Sequence, residues 1–171
     1  YGNFTKESSN PMDSFVGGIA GEVLGGTINN CKSYINISTY GTAGGIAGNC
    51  YSGTITNCSY EGKIEYHYKT GTITKDSQNV AIGGIVGYAH TSTIEDCSVS
   101  SLQSLQNTLI YYKGAENKDK YLKPRMGLIA GEYKGTASNC KTNGAIINTG
   151  KLQSFKTGGF LGIGGTTHNQ K

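Results

Sequence analysis

An all-β chain wound as a parallel β-solenoid of about four to five coils, right-handed, is what this sequence predicts, and three observations predict it. A unit built on G-G-x-x-G recurs along the chain, its last glycine falling at Gly21, Gly48, Gly87, Gly131 and Gly162, in steps of 27, 39, 44 and 31 residues. Four of the five cysteines occupy one column of that repeat, Cys31, Cys58, Cys97 and Cys140, each preceded by Asn or Asp. Glycine and threonine are dense and no 3.6-residue apolar pattern appears, which disfavours helix. Periods of this size with short β segments are the signature of a solenoid or a propeller. A propeller blade needs four strands in about 40 residues, whereas a 27-residue unit suits about three short strands and their corners at ~3.3 Å per residue. One coil cannot bury its own apolar face, so stacked coils must share a core and like side chains form ladders. Right-handedness is the general rule for parallel crossovers.

Each position of the unit has a predicted role. Two residues before the aligned glycine stand Ile19, Ile46, Ile85, Ile129 and Phe160, an inward apolar rung. Five or six after it stand Thr27, Thr54, Thr93 and Thr136, expected as a hydrogen-bonded ladder; a flat ice-binding array needs regular exposed T-x-T and is the remote alternative. Ile28 and Cys31 lie three apart, so both can face inward only if the chain turns between them. Asn30, Asn57, Asp96 and Asn139 sit at that spot, and Asn and Asp tolerate left-handed dihedrals. Beyond the corner, Cys31, Ser33, Ile35 and Ile37 alternate as one strand face. The G-G pair marks another bend or a close approach of coils. The cysteine column is expected as packed free thiols, since equivalent residues in a parallel stack lie ~4.8 Å apart with side chains alongside. Cys50 lies outside that column and is the thiol left for exposure or pairing.

The motif G-G-[IL]-[AV]-G, then G-T-I-x-[ND]-C, then glycine and isoleucine, resembles the GLUG-motif repeats of bacterial surface and secreted proteins. The resemblance covers residues 15–165 in four and a half units, departing in the fourth, where Leu128 and Ala137 replace a glycine and an isoleucine. Such repeats occur in adhesin-like proteins and in non-catalytic regions of immunoglobulin A proteases. The resemblance therefore implies an extracellular or cell-surface bacterial location and carries no catalytic residues over to this chain. Residues 1–14 read as the end of a preceding repeat or an N-terminal cap, 15–165 as the array, and 166–171 as a truncated end, so the chain is expected to be a piece of a larger protein.

Composition narrows the function classes. Charged residues make up only 15% and the net charge is +4, without the dense basic run of a nucleic-acid binder; no apolar stretch approaches membrane-spanning length. No C-x-x-C pair exists and the three histidines are scattered, so neither a zinc site nor another cofactor is expected. No Ser/His/Asp ordering or phosphate loop is found. Glu22 and Glu132 share a column with Asn49 and Tyr88 between them, too far apart for an acid–base pair, and Glu61, Glu65, Asp76, Glu95 and Asp96 lack a convergent partner. A polysaccharide-cleaving β-helix enzyme is accordingly the second alternative, and the chain is read as no enzyme.

The insertions, at about 65–80 and 102–125, carry the candidate contact residues. The first holds Tyr66 and Tyr68, and the second Tyr111, Tyr112, Lys113, Lys118, Lys120 and Arg125. Insertions at one place in the unit emerge on one side of a solenoid, and tyrosines beside Lys and Arg suit a contact surface because rigid amphipathic rings lose little entropy on binding. The competing reading is that these tyrosines cover the coil edge. The expected function is adhesion or presentation to a host glycan or protein by a monomer, with a structural stalk beside a catalytic domain such as a metalloprotease as the alternative.

Overall fold

The computed structural model describes residues 2–6, 14–68, 80–100, 108–114, 124–148, 156–158, 161–164 and 168–169. The chain winds as a stack of coils made of short strands, and no helix occurs among the described residues. The first coil comprises β1 (Gly2–Lys6), β2 (Phe15–Gly17), β3 (Ala20–Leu24), β4 (Thr27–Asn29) and β5 (Lys32–Ser33). The second runs through β6 (Ile35–Thr39), β7 (Thr42–Gly44), β8 (Ala47–Tyr51), β9 (Thr54–Thr56) and β10 (Ser59–Glu61). The third contains β11 (Ile64–Tyr68), β12 (Ala81–Gly83), β13 (Val86–Glu95) and β14 (Ser98–Ser100). The fourth follows with β15 (Thr108–Gly114), β16 (Arg125–Gly127), β17 (Ala130–Ser138) and β18 (Lys141–Asn143). The last holds β19 (Ala145–Asn148), β20 (Lys156–Gly158), β21 (Leu161–Gly164) and β22 (His168–Asn169).

Four sheets run along the stack, in the orders β1-β6-β11-β15-β19, β2-β7-β12-β16-β20, β3-β8-β13-β17-β21 and β5-β10-β14-β18. Neighbours within them pair in parallel, so this is a parallel β-solenoid. The register reproduces the repeat: Ala20 pairs with Ala47, Ala47 with Val86, Val86 with Ala130 and Ala130 with Leu161. Each coil thus has four sides and not three strands. In the second coil strands of three to five residues suffice, because two residues make each corner between them.

Two corners have clear chemical causes. Asn30, Asn57, Asp96 and Asn139 all have φ between 52° and 56°, a left-handed dihedral that Asn and Asp tolerate best among residues with a Cβ. This kink is what lets Ile28 and Cys31, and their equivalents, face the same interior. The G-G pair makes a second corner. A Cβ on Gly44 would stand 2.1 Å from the carbonyl oxygen of Ala47 and 2.6 Å from Cα of Val86, and one on Gly45 2.1 Å from Cγ of Tyr60. Backbone and a core ring occupy the space any larger residue needs.

A one-residue difference in the repeat also has a structural reason. Thr136 follows its aligned glycine by five residues where Thr27, Thr54 and Thr93 follow by six. The β13–β17 register shifts between His90 and Ser92, leaving Thr91 (φ 52°) as an extra residue in a bulge. Ser52 (φ 53°) and Gly25 (φ 71°) hold the same place in the coils before, and the fourth coil omits it.

The interior is one contiguous cluster from Val16 to Cys140. Ile46, Ile85 and Ile129 are fully buried, as ladder positions should be. Ile19 departs from its column: it is 47% exposed, because β2 and β3 are terminal strands in their sheets, with no coil on their far side among the described residues. The expected single strand face over Cys31, Ser33, Ile35 and Ile37 is broken as well. The chain leaves the sheet of β5 and enters that of β6 at Tyr34, although Ser33 and Ile37 both stay buried.

Candidate contact faces and the thiol column

The sheet of β6, β11 and β15 gathers most of the predicted contact residues. Alternation sends Ile37, Thr39, Ile64 and Tyr66 into the core, all at 2% exposure or less. Asn36, Ser38 and Tyr40 therefore face outward in one coil, with Lys63, Glu65 and His67 beside them in the next. These outward groups form a polar network across coils. Ser38 Oγ lies 2.9 Å from Nε2 of His67, and the rings of Tyr40 and His67 meet at 5.5 Å. Lys63 donates its Nζ–H to Glu65 at 2.5 Å, while its backbone N–H donates to Oδ1 of Asn36 at 3.1 Å. Glu65 Oε2 stands 3.7 Å from the same Nε2 that meets Ser38.

Tyr66 is a correction. At 1% exposure it is a core side chain and can touch no ligand, because strand alternation turns it inward between Glu65 and His67. By register Tyr111 stands beside Glu65, Tyr112 beside Tyr66, Lys113 beside His67 and Gly114 beside Tyr68. Tyr111 and Lys113 thus share register positions with Glu65 and His67, and Tyr112 with Tyr66. Lys118, Lys120 and Asp76, with most of the two insertions, lie outside the described residues. Arg125 pairs with Glu132, and this engages its guanidinium within the protein. Glu132 is 9% exposed, and a carboxylate so withdrawn from water requires a charged or hydrogen-bonding partner.

A second outward face, on β3, β8, β13 and β17, carries aromatic residues that the insertion argument missed. Leu24, Tyr51, His90 and Lys134 form one rank. Tyr51 and His90 stack with centroids 5.0 Å apart and parallel planes, and Tyr88 lies 6.3 Å from His90. Leu24 is 72% and Tyr51 49% exposed. The signal was present in the repeat: all four residues stand three positions after the aligned glycine. Next to them Asn49 donates Nδ2–H to Oε1 of Glu22 at 2.7 Å. The threonine rank runs along the outside of the same side, where Thr93 and Thr136 hydroxyls meet at 3.2 Å.

The cysteine column is a repeated hydrogen-bonding device. All five cysteines are free thiols; Cys58, Cys97 and Cys140 are buried and Cys31 is partly buried. Each column Sγ donates to the carbonyl two residues earlier, across the Asn/Asp corner: Asn29 at 3.4 Å, Thr56 at 3.1 Å, Glu95 at 3.2 Å and Ser138 at 3.3 Å. Burial pushes the Cys58 thiol up. The neighbouring Cys140 thiol, together with burial, pushes Cys97 up, and the neighbouring Cys97 thiol holds Cys140 down. Cys50, expected to be the exposed or paired thiol, is fully buried and free. It packs inward on β8, and the hydroxyl of Ser92 donates to its carbonyl at 2.8 Å. Among the described residues no group of three or more His, Cys, Asp or Glu could hold a metal ion, and no helix is long and apolar enough to cross a membrane.

Residues 78–102, spanning β12 to β14, match the family model described as the GLUG motif. No curated protein and no solved structure matches the chain. The matched segment holds Gly83, Gly84, Ile85, Gly87, Thr93, Asp96 and Cys97, which are the G-G corner, the core rung, the threonine, the left-handed corner and the thiol of one coil. One coil of this solenoid, residues 78–102, carries a GLUG motif.

Proposed function

We propose that the chain is a non-catalytic, contact-making segment of a bacterial surface or secreted protein, presenting its outward sheet faces to a host glycan or protein. The observation that carries this reading is the polar and aromatic face of Tyr40, Lys63, Glu65 and His67, continued by register to Tyr111 and Lys113. Strands held by ladders on both sides keep such groups at set spacings, so little entropy is lost when a ligand engages several at once. Lysine, carboxylate and imidazole beside a tyrosine ring suit polar, ring-bearing ligands such as oligosaccharides, and equally an acidic protein segment.

The test is direct. The chain carrying Tyr40→Ala, Tyr111→Ala and Lys113→Ala is compared with the unaltered chain on immobilised glycans and on host cells, with far-UV circular dichroism confirming the fold. A loss of at least about tenfold, some 1.4 kcal/mol, is expected. Unchanged attachment removes this face from the reading. Should the unaltered chain bind nothing in either assay, the role of a stalk between other domains takes its place.

A further inference from the structure

We propose that Cys97 and Cys140 form a two-coordinate site for a soft monovalent cation, Cu(I) or Ag(I), reached through the groove at the Asn/Asp corner. The two thiols occupy equivalent places in adjacent coils, bracketed by the pairs Glu95–Ser138 and Ser98–Lys141. Adjacent parallel strands are ~4.8 Å apart. A linear ion with metal–sulfur bonds near the ~2.3 Å of zinc thiolates spans about 4.6 Å between its sulfurs, close to the strand spacing, so side chains lying alongside one another suit it. A disulfide is the poorer fit, since its Cβ atoms must approach to ~3.8 Å.

The access route is present. A groove of about 610 Å³ is lined by both cysteines together with Asp96, Asn139 and Lys141. Harder ions fit badly, because zinc in such sites requires about four ligands and no cluster of three donors exists among the described residues. Thiolate selects soft ions such as Cu(I). The bond balance is simple: two S–H bonds and one M⁺ become one S–M–S unit of net charge −1, with two protons released to solvent. Lys141 lines the groove beside both thiols, with Asp96 opposing it.

The experiment uses the whole reduced chain under anaerobic conditions, titrated with Cu(I) against a chromogenic chelator and with Ag(I) for X-ray absorption. One ion is expected to be held by two sulfur neighbours and no nitrogen or oxygen, with affinity rising as pH rises because protons are released. Cys97→Ser and Cys140→Ser should each weaken retention by at least about tenfold and reduce the sulfur count at the ion, while Cys50→Ser should not. Should a serine variant lose its β spectrum, the sulfur count and pH dependence of the unaltered chain decide the matter. One sulfur per ion, pH-independent retention, equal retention in folded Cys97→Ser, or a Cys97–Cys140 disulfide in the purified protein overturns the proposal.

Discussion

Glycine at the first place of the G-G pair is a steric requirement and not a relic of composition. The Cβ of an alanine at Gly44 would meet the Ala47 carbonyl oxygen at 2.1 Å and the Val86 Cα at 2.6 Å, and both atoms belong to backbone already committed to strands. Overpacking of this kind typically costs 1–3 kcal/mol and can cost more. Gly44→Ala should therefore destabilise the chain by about 3 kcal/mol in a urea titration, at the upper end of that range because backbone yields less than a side chain. Gly2→Ala, with nothing within 4 Å of its new methyl, should stay within about 0.5 kcal/mol. Equal effects at the two positions would show that the corner is looser than its geometry. The same residue scale explains why Asn and Asp precede every column cysteine: the left-handed dihedral is a property of one residue, so its signature is legible in one letter of the sequence. The core isoleucines and the thiol column were legible for a related reason, since the repeat marks equivalent environments.

Between residue and molecule stand the strands, and here the core tyrosines are the least expected members. Tyr60 from β10 lies across the interior and donates its hydroxyl to the carbonyl of Ile35 at 2.9 Å, in space left open by Gly45 and Gly62. Tyr133 from β17 sits opposite the small Ala89 of β13. Burial pushes both phenols above their ordinary range. In the unfolded chain they ionise near pH 10, so the unfolded state sheds these protons first. Their contribution to stability is then complete below about pH 10 and is lost as the pH rises beyond it. Urea titrations between neutral and strongly alkaline pH should show stability falling above that point, and Tyr60→Phe should flatten the fall while costing about 1 kcal/mol at neutral pH through the lost hydrogen bond. An unchanged slope in that variant would assign the alkaline loss to other groups. The split between buried Tyr66 and outward His67 follows from the same period-two geometry, which grouping tyrosines by insertion ignores.

Across the whole molecule, stability passes from coil to coil by nearest-neighbour stacking. Second- and third-coil rungs such as Ile46 and Ile85 are closed on both sides, whereas Phe15, Ile19 and Leu24 of the first coil are 38%, 47% and 72% exposed. Amide hydrogen exchange should rank accordingly, with residues 14–33 opening well before residues 42–62 and 80–100. Uniform protection through all coils would instead mean that the stack opens as one unit.

The amino-acid sequence by itself determined the solenoid, its register, its Asn/Asp corner and its inward ladder, because repetition places like residues in like surroundings and corner chemistry is local. Its limit lay wherever the outcome depends on what lies across a coil or above it. Only the tertiary structure decided that Ile19 faces open space, that Arg125 is engaged by Glu132, that Tyr66 belongs to the core, and that Tyr51 and His90 stack on an outward face. Exposure and pairing are relations between segments far apart in the chain, and stacking is what creates them.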